Sequence, residues 1–401
     1  MAVMSKKVFF YMSSDFHYMY HHMADNPPEG FEYSASKFMA HKEITNSVRG
    51  MSPTLGNNLM GILKSLQPKL SPVYNDLLIS LNKPKVREFD ATGYDLVHSA
   101  QSLLSTNRPY VADFEHAAVF CGFNQYALER ESYVRALKKV LLDKNLKRLI
   151  PWTNAIKESL LNFVKDEGIE EKTEVIMAPI TPPEKFERQK HPGVNFLFIG
   201  RWFYEKGGLE TLIAFDRISE KYDCSLTMVA PSAPEDVKER FSKNKKIRFL
   251  GTQPYNELKR LYGESDVLVF PTHLDTVGFV IPEAFSYGLP VITVDSFSLP
   301  ELIKDEKTGL IVKSYYSSFR KDRGYIYPTA RELWRRRPED CKNPTERYIG
   351  ELGRAMEKTL NDGALMRRMS KAAQKEAVDG MFSLAKWKKK MGGVYEEALS
   401  S

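Results

Sequence analysis

The stretch Pro271–Pro290, PTHLDTVGFVIPEAFSYGLP, decides the fold of this chain. The apolar run Asp266–Phe270 precedes it and the run Val291–Val294 follows it, and short apolar runs of this kind are typical of buried parallel strands. Pro282 suits the first turn of a helix, because its missing N–H has no intrahelical partner there. Gly288 then ends that helix. The stretch is therefore predicted to be a loop and a short helix between two parallel strands.

Two carboxylates and several backbone N–H groups are placed by this arrangement. Asp275 falls in the loop and Glu283 in the first helical turn. Gly278 allows the backbone to approach a ligand closely, and the N–H groups of Phe279 and Val280 are available to an anion near the helix start. Open α/β sheets bind ligands at the carboxyl ends of their strands. We therefore expect a ligand site here.

This pattern resembles the acidic signature of glycosyltransferase family 4, also called glycosyl transferases group 1. The family has Glu-x7-Glu; this chain has Asp275-x7-Glu283, followed by Ala284 and Gly288–Ile292. Asp275 is one methylene shorter than the family glutamate. The resemblance implies an α/β protein of the GT-B fold, with two Rossmann-like domains facing a cleft and a C-terminal helix crossing back to the N-terminal domain. The alternative is an ordinary βα turn with two surface acids.

A second element carries positive charge. The strand-like run Phe196–Gly200 is followed by Arg201, by Lys206 and by Gly207-Gly208 at the start of an amphipathic pattern. A strand, a cationic loop and a helix N-terminus together form a diphosphate site. The element resembles the family's Gly-Arg…Glu-Lys-Gly motif, which implies that Arg201 and Lys206 bind the donor diphosphate. The alternative is a pair of solvated surface cations.

Two histidines follow predicted strands in the first half of the chain. The segment Tyr110–His116 resembles the family strand that closes with a histidine near the donor sugar, which implies a catalytic-site role for His116. A structural role is the alternative. The segment Tyr94–His98 also ends in a histidine, and for His98 function and packing are equally open.

Composition describes a globular protein without a metal or cofactor motif. The chain has 401 residues, 42% hydrophobic and 27% charged, with a formal charge of +7, a mild bias that suits anionic ligands or a membrane surface but not nucleic acid. Cys121, Cys224 and Cys341 are scattered, so neither disulfides nor a zinc site is indicated. His17 and His21 have the spacing of a metal pair, but no third ligand is near and packing is favoured. No signal-peptide layout or membrane span is present, so we expect a cytoplasmic protein.

Domain boundaries follow from the resemblance and from composition. Val175–Pro179 is predicted as the last strand of the first domain, and the Pro-rich segment after it as a linker. The first helix after Pro151 is expected to begin with Thr153 or Asn154 as its N-cap. The expected division is an N-terminal acceptor-side domain at 1–185, a nucleotide-sugar-binding domain at 193–380 with a basic insertion at about 315–348, and a returning helix at 381–401.

Two basic segments raise the question of membrane contact. Apolar residues recur at helical spacing over Tyr133–Ile150 among lysines such as Lys138, which fits a surface helix with a solvated basic face. Such a helix could also bind anionic lipid headgroups, and Arg335–Arg337 in the insertion adds to that hypothesis. A lipid-linked acceptor and peripheral contact with the cytoplasmic membrane face would account for both segments.

The resemblance implies retaining transfer of a hexose from a nucleotide diphosphate sugar to a glycan, lipid-linked or small-molecule hydroxyl acceptor. Arg201 and Lys206 would supply the charge that other transferases take from a metal ion. Asp275 would hold the hexose together with the N–H groups at 278–280, and Glu283 would bind the ribose hydroxyls. Two rival hypotheses are a GT-B sugar-nucleotide epimerase and a non-catalytic sugar-nucleotide or polyanion binder.

Overall fold

The structure is a computed structural model, and it describes residues 5–12, 19–35, 81–184 and 191–401. His17 therefore lies outside the described residues. The chain divides into two compact units. The first contains the described residues up to Ile176, with 327–333 and 388–401, and the second contains 177–326 and 334–387.

The first unit is built on parallel strands. In the described part these are β1 (Lys6–Tyr11), β2 (Phe31–Ala35), β3 (Val86–Phe89), β4 (Leu96–Ala100), β5 (Leu103–Thr106), β6 (Tyr110–Phe114) and β7 (Leu146–Pro151). Five of them form a sheet in the order β2-β1-β4-β6-β7, and β3 pairs with β5. β4 and β6 are buried along their whole length, as expected for central strands of a covered parallel sheet.

Short helices connect these strands. Their described members are Met19–Ala24, the 3-10 helix Ala117–Cys121, Gln125–Leu128, Glu131–Leu141, Asn154–Val164 and Glu167–Glu171. The last helix of the chain is Leu384–Ser400. Thr153 is the N-cap of Asn154–Val164, and its hydroxyl accepts a hydrogen bond of 3.2 Å from the Ile156 N–H. This confirms one of the two capping residues that the sequence predicts.

The second unit has its own parallel sheet. Its strands are β8 (Val194–Ile199), β9 (Cys224–Val229), β10 (Ile247–Leu250), β11 (Val267–Val269), β12 (Val291–Val294) and β13 (Gly309–Val312). They lie in the order β10-β9-β8-β11-β12-β13, and every pairing is parallel. The helices that follow them are Gly208–Ser219, Glu235–Phe241, Tyr255–Gly263, Val280–Ser286, Leu299–Leu302, Ala330–Asp340, Glu346–Asn361 and Gly363–Val378.

The strand order reverses between β8 and β11. From β8 the chain builds outward through β9 and β10, and it then returns to β11 and builds through β12 and β13 on the other side. Ligands of open α/β sheets bind outside the carboxyl ends of the strands at such a switch point. The segments that leave β8 and β11 at this edge are 200–207 and 270–279, which we call the cationic loop and the signature loop.

Two sequence predictions in the first unit are wrong in extent. Val175–Pro179 is not a strand: the chain pairs with β7 only as far as Ile176, whose N–H donates to the Pro151 carbonyl at 3.1 Å. Since β7 ends at Pro151, the residues beyond Ile176 have no strand beside them to pair with. The helix predicted over Tyr133–Ile150 ends at Leu141.

The basic helix turns its apolar face inward. Tyr133, Leu137 and Leu141 are buried in the first unit, so this face is not available for insertion into lipid. Lys138 lies at the edge of the helix and donates to the Lys165 carbonyl at 3.0 Å. Of the helices described, none combines the length and the apolar character that a membrane crossing requires.

Candidate active site

The cationic loop and the signature loop are hydrogen-bonded to each other. The carbonyl of Glu205 accepts from the His273 N–H at 2.8 Å and from the Thr272 hydroxyl at 3.2 Å. The two loops leave neighbouring parallel strands, whose register pairs Val267 with Phe196. The fold therefore brings the two motifs, about 70 residues apart in sequence, to one edge of the sheet.

Lys206 and Asp275 form an ion pair at this edge. The Lys206 ammonium is 2.5 Å from Asp275 Oδ2 and donates to the Leu274 carbonyl at 3.0 Å. The Thr272 hydroxyl lies 3.1 Å from the same carboxylate oxygen. The two charged side chains are only 13% and 16% exposed, so solvent screens the pair less than it screens a surface pair. The structure thus pairs Lys206, which is predicted to bind the phosphate, with Asp275, which is predicted to bind the hexose.

Aromatic rings complete the surroundings of the ammonium. Lys206 Nζ lies 5.5 Å from the ring centroid of Trp202 and 5.8 Å from that of Phe270. These distances are within the range of cation–π attraction. The ammonium is therefore held by a carboxylate, a carbonyl and two rings.

Arg201 differs from Lys206 in being exposed. Among the residues that the structure describes, its guanidinium has no hydrogen bond or ion pair. Its backbone is fixed, because its carbonyl accepts from the Ser232 hydroxyl at 2.5 Å and that same hydroxyl is 3.1 Å from the Phe203 N–H. The loop is thus anchored while the cationic group can turn toward a ligand.

Two glycines allow the loops to approach their neighbours. Gly207 has φ +79°, and a Cβ there would lie 2.3 Å from the Pro271 carbonyl oxygen. Gly278 has φ +69°, and a Cβ there would lie 2.8 Å from the Phe270 ring. Side chains are disfavoured at positive φ in any case. Both positions therefore require glycine for conformation and for space.

Backbone N–H donors are present at the start of the helix Val280–Ser286. Phe279 is the N-cap residue. The N–H groups of Gly278 and Val280 donate to no other residue in the described part of the chain. Unpaired N–H groups at a helix start attract anions, so these donors suit a phosphate, as the sequence predicts.

Glu283 projects from the first turn of the same helix. Its Oε2 accepts a hydrogen bond of 2.7 Å from the Tyr262 hydroxyl. Burial raises the pKa of Glu283 to about 7, and the hydrogen bond from Tyr262 acts in the opposite direction. The Tyr287 ring stacks on Tyr262 at 5.7 Å between centroids. This carboxyl group therefore keeps its proton to a higher pH than an exposed glutamate does.

His116 lies in the first unit, whereas the other predicted site residues lie in the second. It is buried and serves as the N-cap of Ala117–Cys121, where its Nδ1 accepts from the Ala118 N–H at 3.0 Å. The structure thus gives His116 a local structural task. A role toward a donor sugar stays a prediction.

His98 belongs to a buried network in the first unit. Its Nδ1 lies 2.6 Å from the Tyr395 hydroxyl and its Nε2 lies 3.0 Å from Asp113 Oδ2. The Tyr20 hydroxyl donates to the other oxygen of Asp113 at 2.5 Å, and the Tyr33 hydroxyl lies 2.6 Å from that of Tyr395. Both ring nitrogens of His98 are therefore engaged: Nδ1 contacts the last helix, and Nε2 contacts the neighbouring strand β6.

Sequence reasoning misassigned Arg337. It was grouped with Arg335 as a cation for lipid, but its side chain is 2% exposed and therefore cannot reach a membrane. Arg337 Nε and Nη2 lie 3.1 and 3.0 Å from Glu205 Oε1, and its guanidinium lies 4.7 Å from the Trp202 ring centroid. The available signal was its position four residues after Leu333, which places both on one face of a helix.

A second buried pair near the loops was also missed. His273 Nε2 lies 2.6 Å from Glu210 Oε1, and the Tyr315 hydroxyl donates to the same oxygen at 3.0 Å. His273 and Glu210 are fully buried. The pair ties the signature loop to the helix Gly208–Ser219. Nothing in the local pattern distinguishes these two residues from surface positions.

Within residues 5–12, 19–35, 81–184 and 191–401, no three His, Cys, Asp or Glu side chains are grouped as a metal site would require.

The fold is that of GT-B glycosyltransferases. The structure is similar to sucrose-phosphate synthase from Thermosynechococcus elongatus, with a TM-score of 0.59 and 15% identity over 98% of this chain and 99% of that one. It is equally similar to HepE from Anabaena in complex with UDP and glucose, with a TM-score of 0.59 and 14% identity over 98% and 99%. At such identities the likeness concerns the fold alone. It confirms the predicted fold class.

Comparison by sequence adds a match to a known family over part of the chain. Residues 183–321 match the family model described as "Glycosyl transferases group 1", which confirms the resemblance stated above. An uncharacterized glycosyltransferase of Methanocaldococcus jannaschii is 32% identical over 162 residues, covering 36% of this chain and 41% of that protein. An uncharacterized 41.2 kDa protein in the cps region of Klebsiella pneumoniae is 33% identical over 119 residues, covering 30% and 32%. The matches thus span less than half the length of these relatives.

Proposed function

We propose that the protein is a glycosyltransferase that moves a hexose from a nucleoside diphosphate sugar to a hydroxyl acceptor, with retention at the anomeric carbon. One observation carries the proposal: Arg201, Lys206, Asp275 and Glu283 lie on the elements that meet at the switch point of the second sheet. These residues all fall within 183–321, the segment matched by the group 1 family model.

The diphosphate is the part of the donor that needs most stabilisation. Arg201 and Lys206 provide two cations, and the N–H groups of Gly278 and Val280 provide neutral donors. Negative charge grows on the departing phosphate during transfer, and donors already oriented toward it stabilise the transition state. This is the largest contribution that we assign to the site.

Asp275 has a different role. Carboxylates only accept hydrogen bonds when ionised, so Asp275 suits the hydroxyl groups of the hexose. In the structure its Oδ2 lies 2.5 Å from Lys206 Nζ. A bound phosphate would share the ammonium with Asp275 and thereby place the hexose beside its own leaving group.

Glu283 suits the ribose. Its second oxygen is not needed by Tyr262, which donates only to Oε2. Two adjacent ribose hydroxyls can donate to one carboxylate. This contact would orient the nucleotide without taking part in bond breaking.

The reaction balances without a protein nucleophile. The bond between the anomeric carbon and the β-phosphate oxygen breaks, and the electron pair leaves with the phosphate. The acceptor oxygen bonds to the anomeric carbon on the same face, and its proton passes to the departing phosphate. For His116 we keep the catalytic-site role near the donor sugar that the resemblance implies.

The base and the hexose are proposed from the neighbours. HepE from Anabaena was solved with UDP and with UDP-glucose, so UDP-hexoses are the first donors to examine. For the acceptor we propose a hydroxyl of a glycan or of a lipid-linked sugar.

The test is turnover of UDP-, GDP- and ADP-hexoses with and without a pool of hydroxyl acceptors, followed by nucleoside diphosphate release and by transfer of labelled hexose. We expect acceptor-dependent transfer in the wild type. Lys206→Met should reduce it by about 10- to 100-fold, since a charge-assisted hydrogen bond contributes about 1.5–3 kcal/mol. Lys221→Met, which removes an exposed cation elsewhere in the same unit, should not.

The same assay separates the rival hypotheses. Free sugar and free nucleotide formed at the same rate with or without acceptor would indicate an epimerase-like reaction. Binding of a sugar nucleotide with no product under any condition would indicate a non-catalytic binder. Either result would overturn the proposed function.

A further inference from the structure

The arginine that the sequence analysis assigned to lipid contacts the cationic loop instead. Arg337 places two N–H groups on one oxygen of Glu205, at 3.1 and 3.0 Å. Both side chains are buried, with 2% and 7% exposed. The pair joins the helix Ala330–Asp340 to the residue directly before Lys206.

The charge of Glu205 matters to any anion at this loop. Glu205 lies directly before Lys206 in the cationic loop, so its negative charge, if left without a partner, would offset one of the two cations proposed for the diphosphate. Charges in a poorly solvated setting act strongly on each other, and a buried carboxylate without a partner is unfavourable. The Arg337 guanidinium cancels the charge of Glu205 and leaves Arg201 and Lys206 to act on a ligand.

A second contact links Arg337 to Lys206 through a shared ring. The Arg337 guanidinium lies 4.7 Å from the Trp202 ring centroid, and Lys206 Nζ lies 5.5 Å from the same centroid. The indole therefore contacts both cations. A ring held in place by Arg337 limits the positions that the Lys206 side chain can take.

We propose that Arg337 is a positioning residue for the diphosphate site. It neutralises Glu205 and orients Trp202, so that the cationic loop presents its full positive charge to a diphosphate. The proposal rests on the proposed function in so far as that function assigns the diphosphate to this loop.

The test uses inorganic pyrophosphate and UDP as probes, with calorimetric titration of the full-length protein and its variants. Arg337→Gln, which can still donate one hydrogen bond to Glu205, should weaken pyrophosphate binding about tenfold, because one negative charge near the ligand is no longer cancelled. Glu205→Gln should leave the affinity unchanged or raise it. The double variant Glu205→Gln with Arg337→Met should bind within about threefold of the wild type, since it restores neutrality.

Two further variants complete the series. Arg337→Lys keeps the charge and should retain most of the affinity. Arg336→Gln makes the same charge change at an exposed neighbouring position and should have little effect. Inorganic phosphate, which carries less charge than pyrophosphate, should show a smaller loss with Arg337→Gln.

The order of affinities decides the proposal. Equal losses in Arg337→Gln and Glu205→Gln would mean a purely structural pair and would overturn it, as would unchanged binding in Arg337→Gln. If the single variants do not fold, a tenfold loss in the folded double variant overturns it and wild-type affinity supports it. If the wild type turns over the donor but Arg337→Gln binds pyrophosphate as the wild type does, only this inference is rejected. If Arg337→Gln weakens pyrophosphate binding but the wild type shows no turnover, only the proposed function is rejected. Wild-type protein that binds neither probe rejects both.

Discussion

At the scale of single residues, the Glu283 carboxyl group has a pKa near neutral pH. Its pKa is raised from 4.5 to about 7, chiefly by burial. An ionised carboxylate accepts the hydrogen bonds of two ribose hydroxyls more strongly than a protonated carboxyl group does. We therefore predict that UDP affinity increases from about pH 6 to about pH 8 more steeply in the wild type than in Glu283→Gln, which retains only the titration of the UDP phosphate. Calorimetric titration at several pH values measures this, and parallel profiles for the two proteins would contradict it.

The same titration affects folding with a defined sign. Between pH 4.5 and about 7 the folded state holds a proton on Glu283 that the unfolded state has lost. Stability contributed by this group is therefore present at low pH and is lost as pH rises through that window, by up to about 3 kcal/mol. Urea unfolding of the wild type and of Glu283→Gln should show a smaller loss of stability in the variant. Glu220→Gln, at an exposed position, is the matched control.

Asp275 and Glu283 should have separable kinetic effects. Asp275 is assigned to the hexose, where geometry and charge change during transfer, so Asp275→Asn should lower kcat about tenfold or more. Glu283→Gln should chiefly raise KM, because its contact is the same in the ground state and the transition state. Steady-state kinetics with the correct donor measure both. Wild-type kcat and KM in both variants would mean that the two acids are not site residues.

At the scale of elements, the contact between the two loops depends on Gly207. Its Cβ-less backbone approaches Pro271 at φ +79°. Gly207→Ala should destabilise the protein by at least about 1 kcal/mol, because alanine at positive φ is strained and meets a carbonyl. It should also weaken UDP binding. Thermal unfolding and calorimetry measure these effects, with Gly393→Ala as control: nothing lies within 4 Å of a Cβ there, so an equal loss in both variants would contradict the assignment.

The elements around the site were predictable from sequence, whereas their side-chain partners were not. β8, β11 and β12 lie in short apolar runs whose buried character is local information. The failure at Val175–Pro179 arises because pairing depends on where the neighbouring strand ends. The helix from Glu131 ends early because Asp143 forms a turn by accepting from the Asn145 N–H, a competing hydrogen bond that periodicity does not register.

The other contacts that the sequence did not predict join residues far apart in the chain. Lys206 and Asp275 are 69 residues apart, and Glu205 and Arg337 are 132 apart. Local patterns say which residue types are present, but only the fold decides which of three adjacent arginines turns inward. The family resemblance identified the motifs that contain Arg201 and Glu283. It did not identify the buried residues that contact those motifs, such as Arg337 and Tyr262.

At the scale of the whole molecule, the proposed chemistry takes its positive charge from side chains. Arg201 and Lys206 are covalently part of the chain and cannot be removed by a chelator. We predict that glycosyl transfer persists in EDTA at the rate measured without it. Loss of activity with EDTA and its recovery with Mg²⁺ or Mn²⁺ would contradict this prediction.

Membrane contact, if mediated by the basic segments, must be electrostatic. The apolar face around Leu137 is buried, and of the three arginines at 335–337 only Arg335 and Arg336 are exposed. We predict binding to anionic liposomes at low salt that is lost at high salt, because surface charges are then screened. Arg335→Glu with Arg336→Glu should weaken it more than Lys221→Glu with Lys243→Glu. Absence of sedimentation at low salt would favour a soluble acceptor.

Asp275 acts as a built-in counter-ion for the Lys206 ammonium. A phosphate that binds there shares an ammonium that is already paired with a fixed carboxylate, and it therefore releases few mobile ions to the solvent. Binding at Lys206 should therefore depend less on ionic strength than binding at Arg201, whose charge is open to the solvent. The contributions of the two cations to diphosphate binding would then depend differently on salt. Arg201 would attract the diphosphate over a longer distance, and Lys206 would contribute mainly to the bound complex.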